Sequence, residues 1–424
     1  MSFLAKENIT RWHRVAWCLC AVTLPWVDMA NNTCLVILFI VWIAEGNFKV
    51  KWQNLKSSRW IWPFVAYYLV LVIGMMYTPA VGNGLFTLNK KITFLILPIM
   101  AATSTVLDEK LVRILKRGFV YSCCAIILLC LATATFYFFD GGTGINFDIR
   151  TNENFKNIHP DASAAWMHFS YIEIAHWAGW HPAYLSMYLV FCLVILFTED
   201  FPNKKERNIH IGIACVIICF VALLATRMAI IAFICSAAYL TFKKTLEGNL
   251  GKIVAIAVIS FILGFWLWVN PVAKFRVVEE PMITSYRADK TVTDWNSVNY
   301  RLLEWEGSWS VIKVHWLGGV GTGGGKKAMD NFYAHYNYST IGLEHNAHNQ
   351  YLQVWMESGL LGLIAFLLCL STGLFRLWGN PAYVCFILIF SLMCLTESIG
   401  ERQKGVVFFT LFQVLFLGIV KKKE

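Results

Sequence analysis

Long apolar runs alternate with short polar connections along the whole chain. The runs occupy residues 15–27, 33–44, 61–76, 85–102, 119–139, 184–197, 209–224, 228–242, 253–269, 360–377, 382–395 and 406–420. A bilayer core asks for about 20 residues of helix, so several of these runs must extend into their polar flanks to cross it. They lack the alternation of a half-buried strand, and a backbone in lipid has to satisfy its hydrogen bonds within helices or a closed barrel. The pattern predicts an all-α polytopic membrane protein with about twelve transmembrane helices and a large helical loop on the outer side. By position it divides into an N-terminal transmembrane bundle of about nine helices at 1–269, a large connection at 270–354, and C-terminal transmembrane helices at 355–424. A second long loop falls at 140–182.

Inside the large connection a different periodicity appears. Leu302, Trp305, Trp309, Ile312 and Trp316 recur at spacings of three and four, which predicts an amphipathic helix whose Trp stripe lies against the bundle. The aromatic content of this loop argues against disorder, and loops of this length are usually functional.

Composition agrees with the membrane reading, since 58% hydrophobic and 15% charged residues leave more apolar surface than one soluble core hides. Cations mark the orientation. Lys6, Arg11 and Arg14 precede the first run, and Lys49, Lys51, Lys56 and Arg59 follow the second. Lys110, Arg113, Lys116 and Arg117 fill a third connection, with further groups at Lys204, Lys205 and Arg207, at Lys243, Lys244 and Lys252, and at the C-terminus. The connections between them are nearly free of Lys and Arg, so the positive-inside rule predicts that both termini are cytoplasmic. The net charge of +10 is this topology signal, and no nucleic acid is needed to explain it. No small-residue cleavage site follows the first residues, which predicts a retained first span with no removed signal peptide. All 13 cysteines fall within apolar runs, where they act as small hydrophobes.

The groups able to do chemistry cluster near one segment. His345 and His348 stand just before an apolar run that begins around Trp355, which holds imidazole, amide and carboxylate groups at a membrane face. Their spacing of three does not match the i, i+4 pair of metalloprotease helices, so no metal is assigned, and a base that titrates near neutral pH fits better. Arg227, Lys90, Lys91 and Arg301 are cations at membrane edges, where charge is costly and usually functional, although each is also long enough to snorkel to the interface. Together they offer what a pyrophosphate leaving group requires. The run 318–325, GGVGTGGG, lacks the preceding strand and the following Gly-Lys-Ser/Thr of a phosphate loop, and reads as a close-packing turn after the Trp-rich helix.

At this point a resemblance can be stated. His348 and Asn349, then nine residues, Gly359, two residues and Gly362 resemble a motif of the O-antigen ligase and polymerase family. The segment from Arg301 to Gly323 is similar to that family's Arg, Trp and Gly-rich stretch, with Trp316 where the family usually has proline, and His181-Pro182 with Tyr184 resembles its His-Pro motif before a span. The resemblance implies a metal-independent, inverting glycosyltransferase of the GT-C type that needs no cofactor. It would transfer a glycan from undecaprenyl pyrophosphate to the lipid A-core oligosaccharide at the periplasmic face of the bacterial inner membrane. Repeat-unit polymerisation onto a growing glycan acceptor is the alternative, and polysaccharide or lipid transport a weaker one, because the charged groups gather at one face and not at the midplane. By residue, the resemblance implies that His348 is the essential histidine and that Arg301 and Arg227 are the essential arginines. His345, Asn349, Lys90, Lys91, His181 and Trp305 are expected to contact donor, acceptor or membrane lipid.

Overall fold

The computed structural model describes residues 6–139, 164–200, 203–284, 286, 296–338 and 346–420. Each of the twelve apolar runs is helical over most of its length, and no strand occurs among the described residues. Six helices are long and apolar enough to cross a membrane by themselves: Val81–Thr103, Glu109–Phe139, Lys204–Leu224, Arg227–Leu246, Leu250–Val269 and Gln350–Leu377. Asp28–Ala44 and Phe48–Ser57 form a further pair bent by 111°, where Gly46 and Asn47 both take left-handed backbone. Arg59–Gly74, Pro182–Thr198, Pro381–Met393 and Gln403–Ile419 are apolar but shorter. The protein is therefore an all-α, multi-pass membrane protein.

Two compact units cut across the chain order. One joins residues 1–118, 285–379 and 394–424, and the other joins 119–284 and 380–393. The expected division at 269 and 354 follows topology along the chain, whereas these units gather segments that pack together.

In the first unit, Phe64, Tyr67, Phe94, Phe366 and Phe409 meet ring against ring, with Tyr67 and Phe94 centroids 5.0 Å apart and Phe94 and Phe409 5.8 Å apart. They tie together Trp62–Gly74, Thr93–Thr103, Gln350–Ser371 and Gln403–Val420. Lipid tails are as apolar as these side chains, so such packing supplies the specificity that hydrophobicity alone does not. In the second unit, Pro182–Thr198 is buried from Pro182 to Phe197 on every side. A helix apolar all round belongs at the centre of its bundle, and that is where it lies.

The Trp-rich helix forms as expected over Ser297–His315, opened by a capping box between Asn296 and Asn299. Its buried face matches the expected one only in part, at Ile312. Asn299, Leu303, Glu304, Gly307, Ser308 and Ile312 are buried, while Trp309 and Trp316 keep 45% and 51% of their surface exposed. The small Gly307 and Ser308 let the helix approach Met329 and Phe332 closely, since even a Cβ on Gly307 would stand 2.9 Å from the Phe332 ring. The bulky stripe is thereby turned aside, onto a flank where Trp309 meets Trp355 edge to face at 5.7 Å. Amphipathic aromatic rings of this kind suit a membrane–water interface.

The glycine-rich run does serve as a packing turn. Its Val320 N–H donates to the Met356 carbonyl at 2.9 Å and its Gly321 N–H to the Glu357 carbonyl at 3.0 Å. Those carbonyls are available because Gly359 breaks the helical path within Gln350–Ser371, with φ 65° and ψ −170°. Any side chain there would combine a disfavoured φ with overlap onto the Leu317 carbonyl. The Leu360 N–H returns a bond to the Trp316 carbonyl at 2.9 Å. The end of the Trp-rich helix is thus stitched to the start of the kinked helix, and the residues each carries are held in register.

Candidate active site

His348 stands just ahead of the kinked helix in left-handed backbone, φ 39°. Histidine tolerates that region better than most residues, and local hydrogen bonds hold it there. Its N–H donates to Asn346 Oδ1 at 2.8 Å, and the next residue, Asn349, caps the helix by accepting from the N–H groups of Tyr351 and Leu352. One turn further, the Gln353 side chain accepts from the Ala347 N–H at 2.9 Å and donates to Glu357 at 3.0 Å. The imidazole is left half-buried with both ring nitrogens accessible to partners.

Those partners are carboxylates. His348 Nδ1 lies 3.2 Å from Glu397 Oε2, and Nε2 lies 3.9 Å from Glu304 Oε1. An ionised carboxylate only accepts, so the Glu397 contact places a proton on Nδ1 and leaves Nε2 as the basic nitrogen. Glu397 in turn accepts from Arg301 Nη2 at 2.6 Å through its other oxygen. Arg301 completes its fan by donating from Nε to the Thr396 carbonyl at 3.0 Å and from Nη1 to the Ser297 carbonyl at 3.2 Å. The result is a continuous chain, Arg301 to Glu397 to His348.

Gln350 holds this chain in place from behind. Fully buried, it donates its backbone N–H to the Cys394 carbonyl at 2.8 Å and accepts from the Gly400 N–H at 2.6 Å through Oε1. The two bonds bracket the loop that carries Glu397. Nearby, Tyr333 is buried, and burial first, with the Glu304 carboxylate second, raises its hydroxyl well above the usual phenol range. It stays protonated beside Glu304. Trp305, on the same helix as Arg301, has a buried indole nitrogen with no hydrogen-bond partner among the described residues.

The two lysines sit in a different setting. Lys91 is 1% exposed and bonds Glu401 Oε1 at 2.5 Å, while Lys90 donates to the Glu401 carbonyl at 2.8 Å and lies over the Phe86 ring. Their charge is already engaged within the protein. His345 lies outside the described residues.

His181 and Arg227 belong to the second unit. His181 is the N-cap of Pro182–Thr198, its Nδ1 accepting from the Ala183 N–H at 3.3 Å. Arg227 opens Arg227–Leu246 after a turn made by left-handed Ala225, donates from Nε to the Arg276 carbonyl at 2.6 Å, and forms a close ion pair with Glu280.

Glu397, Glu304 and Gln350 were not singled out from sequence. Glu304 carried a signal, being one helical turn after Arg301, where i, i+3 residues share a face. Glu397 is 49 positions from His348, and nothing local joins them.

Residues 211–367 match the family model described as O-antigen ligase. This segment is similar to the O-antigen ligase family. The matched segment holds Arg227, Arg301, Glu304 and His348, with Gly359 and Gly362 behind them. The likeness is to a family of glycan-transferring membrane proteins and covers residues 211–367. No curated protein matches the chain.

Proposed function

We propose that this protein transfers a glycan from undecaprenyl pyrophosphate to the lipid A-core oligosaccharide at the periplasmic face of the inner membrane. The observation that carries the chemistry is the Arg301–Glu397–His348 chain. His348 Nε2 takes the proton from an acceptor hydroxyl as the oxygen attacks the anomeric carbon. The bond to the diphosphate breaks on the opposite face, so the anomeric configuration inverts. Glu397 stabilises the imidazolium that forms, and Arg301 keeps Glu397 ionised and aimed. Arg227, held by Glu280, assists the binding of the donor's diphosphate. Because that leaving group needs charge compensation and no proton, one base suffices and no metal is required.

The topology accompanies this reading. If the four shorter helices and Lys6–Thr23 cross as well as the six long helices and the bent pair at Asp28–Ala44, the crossings number twelve and both termini return to the cytoplasm. Twelve spans with one dominant outer loop would favour the ligase over the polymerase. Mixing purified protein with lipid-linked glycan and each candidate acceptor separates them. Product on lipid A-core supports the ligase, extension of the lipid-linked glycan shifts the assignment to the polymerase, and no transfer to either removes the reading. Activity lost on EDTA treatment and restored by a divalent cation would remove metal independence.

A further inference from the structure

In the second unit, Arg276 differs from the arginines already described. Arg227 is neutralised by Glu280, as Arg301 is by Glu397 in the first unit. Among the described residues Arg276 has no ion-pair partner and its guanidinium no hydrogen-bond acceptor; its Nε is buried. The guanidinium carbon sits 3.3 Å from the centre of the Tyr171 ring, and the side chain remains half-buried. Its backbone carbonyl accepts from Arg227 Nε, so the second arginine props the first. The residue lies in the π-helical turn Phe275–Glu279, a geometry that recurs at functional sites.

Leaving a guanidinium without acceptors is costly, and a buried donor without a partner among the described residues calls for one beyond them. A planar cation fixed on an aromatic face, with its fork unoccupied, matches the bidentate geometry of phosphate oxygens. We infer that Arg276, presented by Tyr171 and positioned by Arg227, is the binding group for a phosphate-bearing anion, and that Arg227 serves it by support and not by direct contact. Under the transferase reading, that anion is the donor's lipid-linked diphosphate. The same chemistry would suit the phosphate of an anionic phospholipid.

The test uses the full chain in nanodiscs of neutral lipid, titrated with inorganic pyrophosphate by calorimetry. Saturable binding is expected, weakened about tenfold or more in Arg276→Gln, since hydrogen bonds to charged groups contribute at least that much. Arg276→Lys should retain part of the affinity, which also shows that the fold survives a change at this position. Unchanged affinity in Arg276→Gln, or no saturable binding by the native protein, overturns the inference. So does an Arg227→Gln variant that abolishes binding while Arg276→Gln leaves it intact. Repeating the titration in nanodiscs containing undecaprenyl pyrophosphate or phosphatidylglycerol identifies the native source, because the true occupant competes with inorganic pyrophosphate. Anion binding that persists where no glycan transfer is found would reject the transferase reading and leave the site standing.

Discussion

Glu397 and Glu401 lie four residues apart in one connection, each beside cations, yet they build opposite kinds of site. Glu401 meets Lys91, whose side chain is 2% exposed, in a closed pair backed by Lys90. Glu397 meets Arg301 and His348, whose side chains keep 27% and 17% of their surface. In the first place every charge is matched inside the protein and little is left to meet a substrate. In the second, a carboxylate is pinned by arginine on one oxygen and presents the other to a ring that still reaches solvent. An intramembrane or membrane-edge cation is a functional candidate by default, but burial and partner identity decide whether it works on a ligand or on the fold.

The contrast is most sharply broken at His348. Replacement by Ala should lower transfer by about a hundred- to ten-thousand-fold, the usual range for a lost general base, with folding unaffected. Rates measured at matched expression in membranes check this. His345→Ala should be milder, because His345 lies outside the matched motif.

On the closed side the loss should appear in stability. Lys91→Met leaves Glu401 and the buried Glu357 without their cation, and breaking a buried pair on one side costs about 3–5 kcal/mol. Thermal unfolding in detergent should show it, and the double change Lys91→Met with Glu401→Gln should recover much of the difference. If Lys91→Met left the melting temperature untouched while abolishing transfer, the lysine would belong with the substrate site.

A smaller effect is expected at the joint between the two helices. Gly359→Ala forces a side chain into left-handed backbone against the Leu317 carbonyl, and strain of this type costs about 1–3 kcal/mol. Unfolding should begin at a lower temperature, with transfer falling alongside it as Arg301 and His348 lose register. A melting temperature equal to that of the native protein would show that the joint relaxes without consequence.

Much of this architecture can be read from the chain because lipid leaves the backbone few choices. Apolar runs had to become helices, and all twelve did over most of their length. His348, Asn349 and Gly359 stood out as polar or small residues at the mouth of a span, and the structure gives each a local reason. Periodicity was a poorer guide for the Trp-rich helix. It identifies an apolar stripe, but in a membrane protein such a stripe can face protein, lipid or the interface between them, and here the small residues Gly307 and Ser308 take the protein side. The lysines posed a similar ambiguity, since nothing near Lys91 in the chain announces Glu401. Glu397 was illegible for the same reason: its partners arrive through long-range packing, with Gln350 fixing the approach.

The central claim is that Arg301, Glu397 and His348 act as one unit, and a double-mutant cycle on the first two tests it most directly. Transfer rates would be measured for purified native protein, Arg301→Gln, Glu397→Gln and the double variant, with lipid-linked glycan saturating. If Arg301 works through Glu397, the double variant is no slower than the slower single one, as is usual for residues that share a network. Losses that multiply in the double variant would mean that the two residues act independently, and would contradict the account.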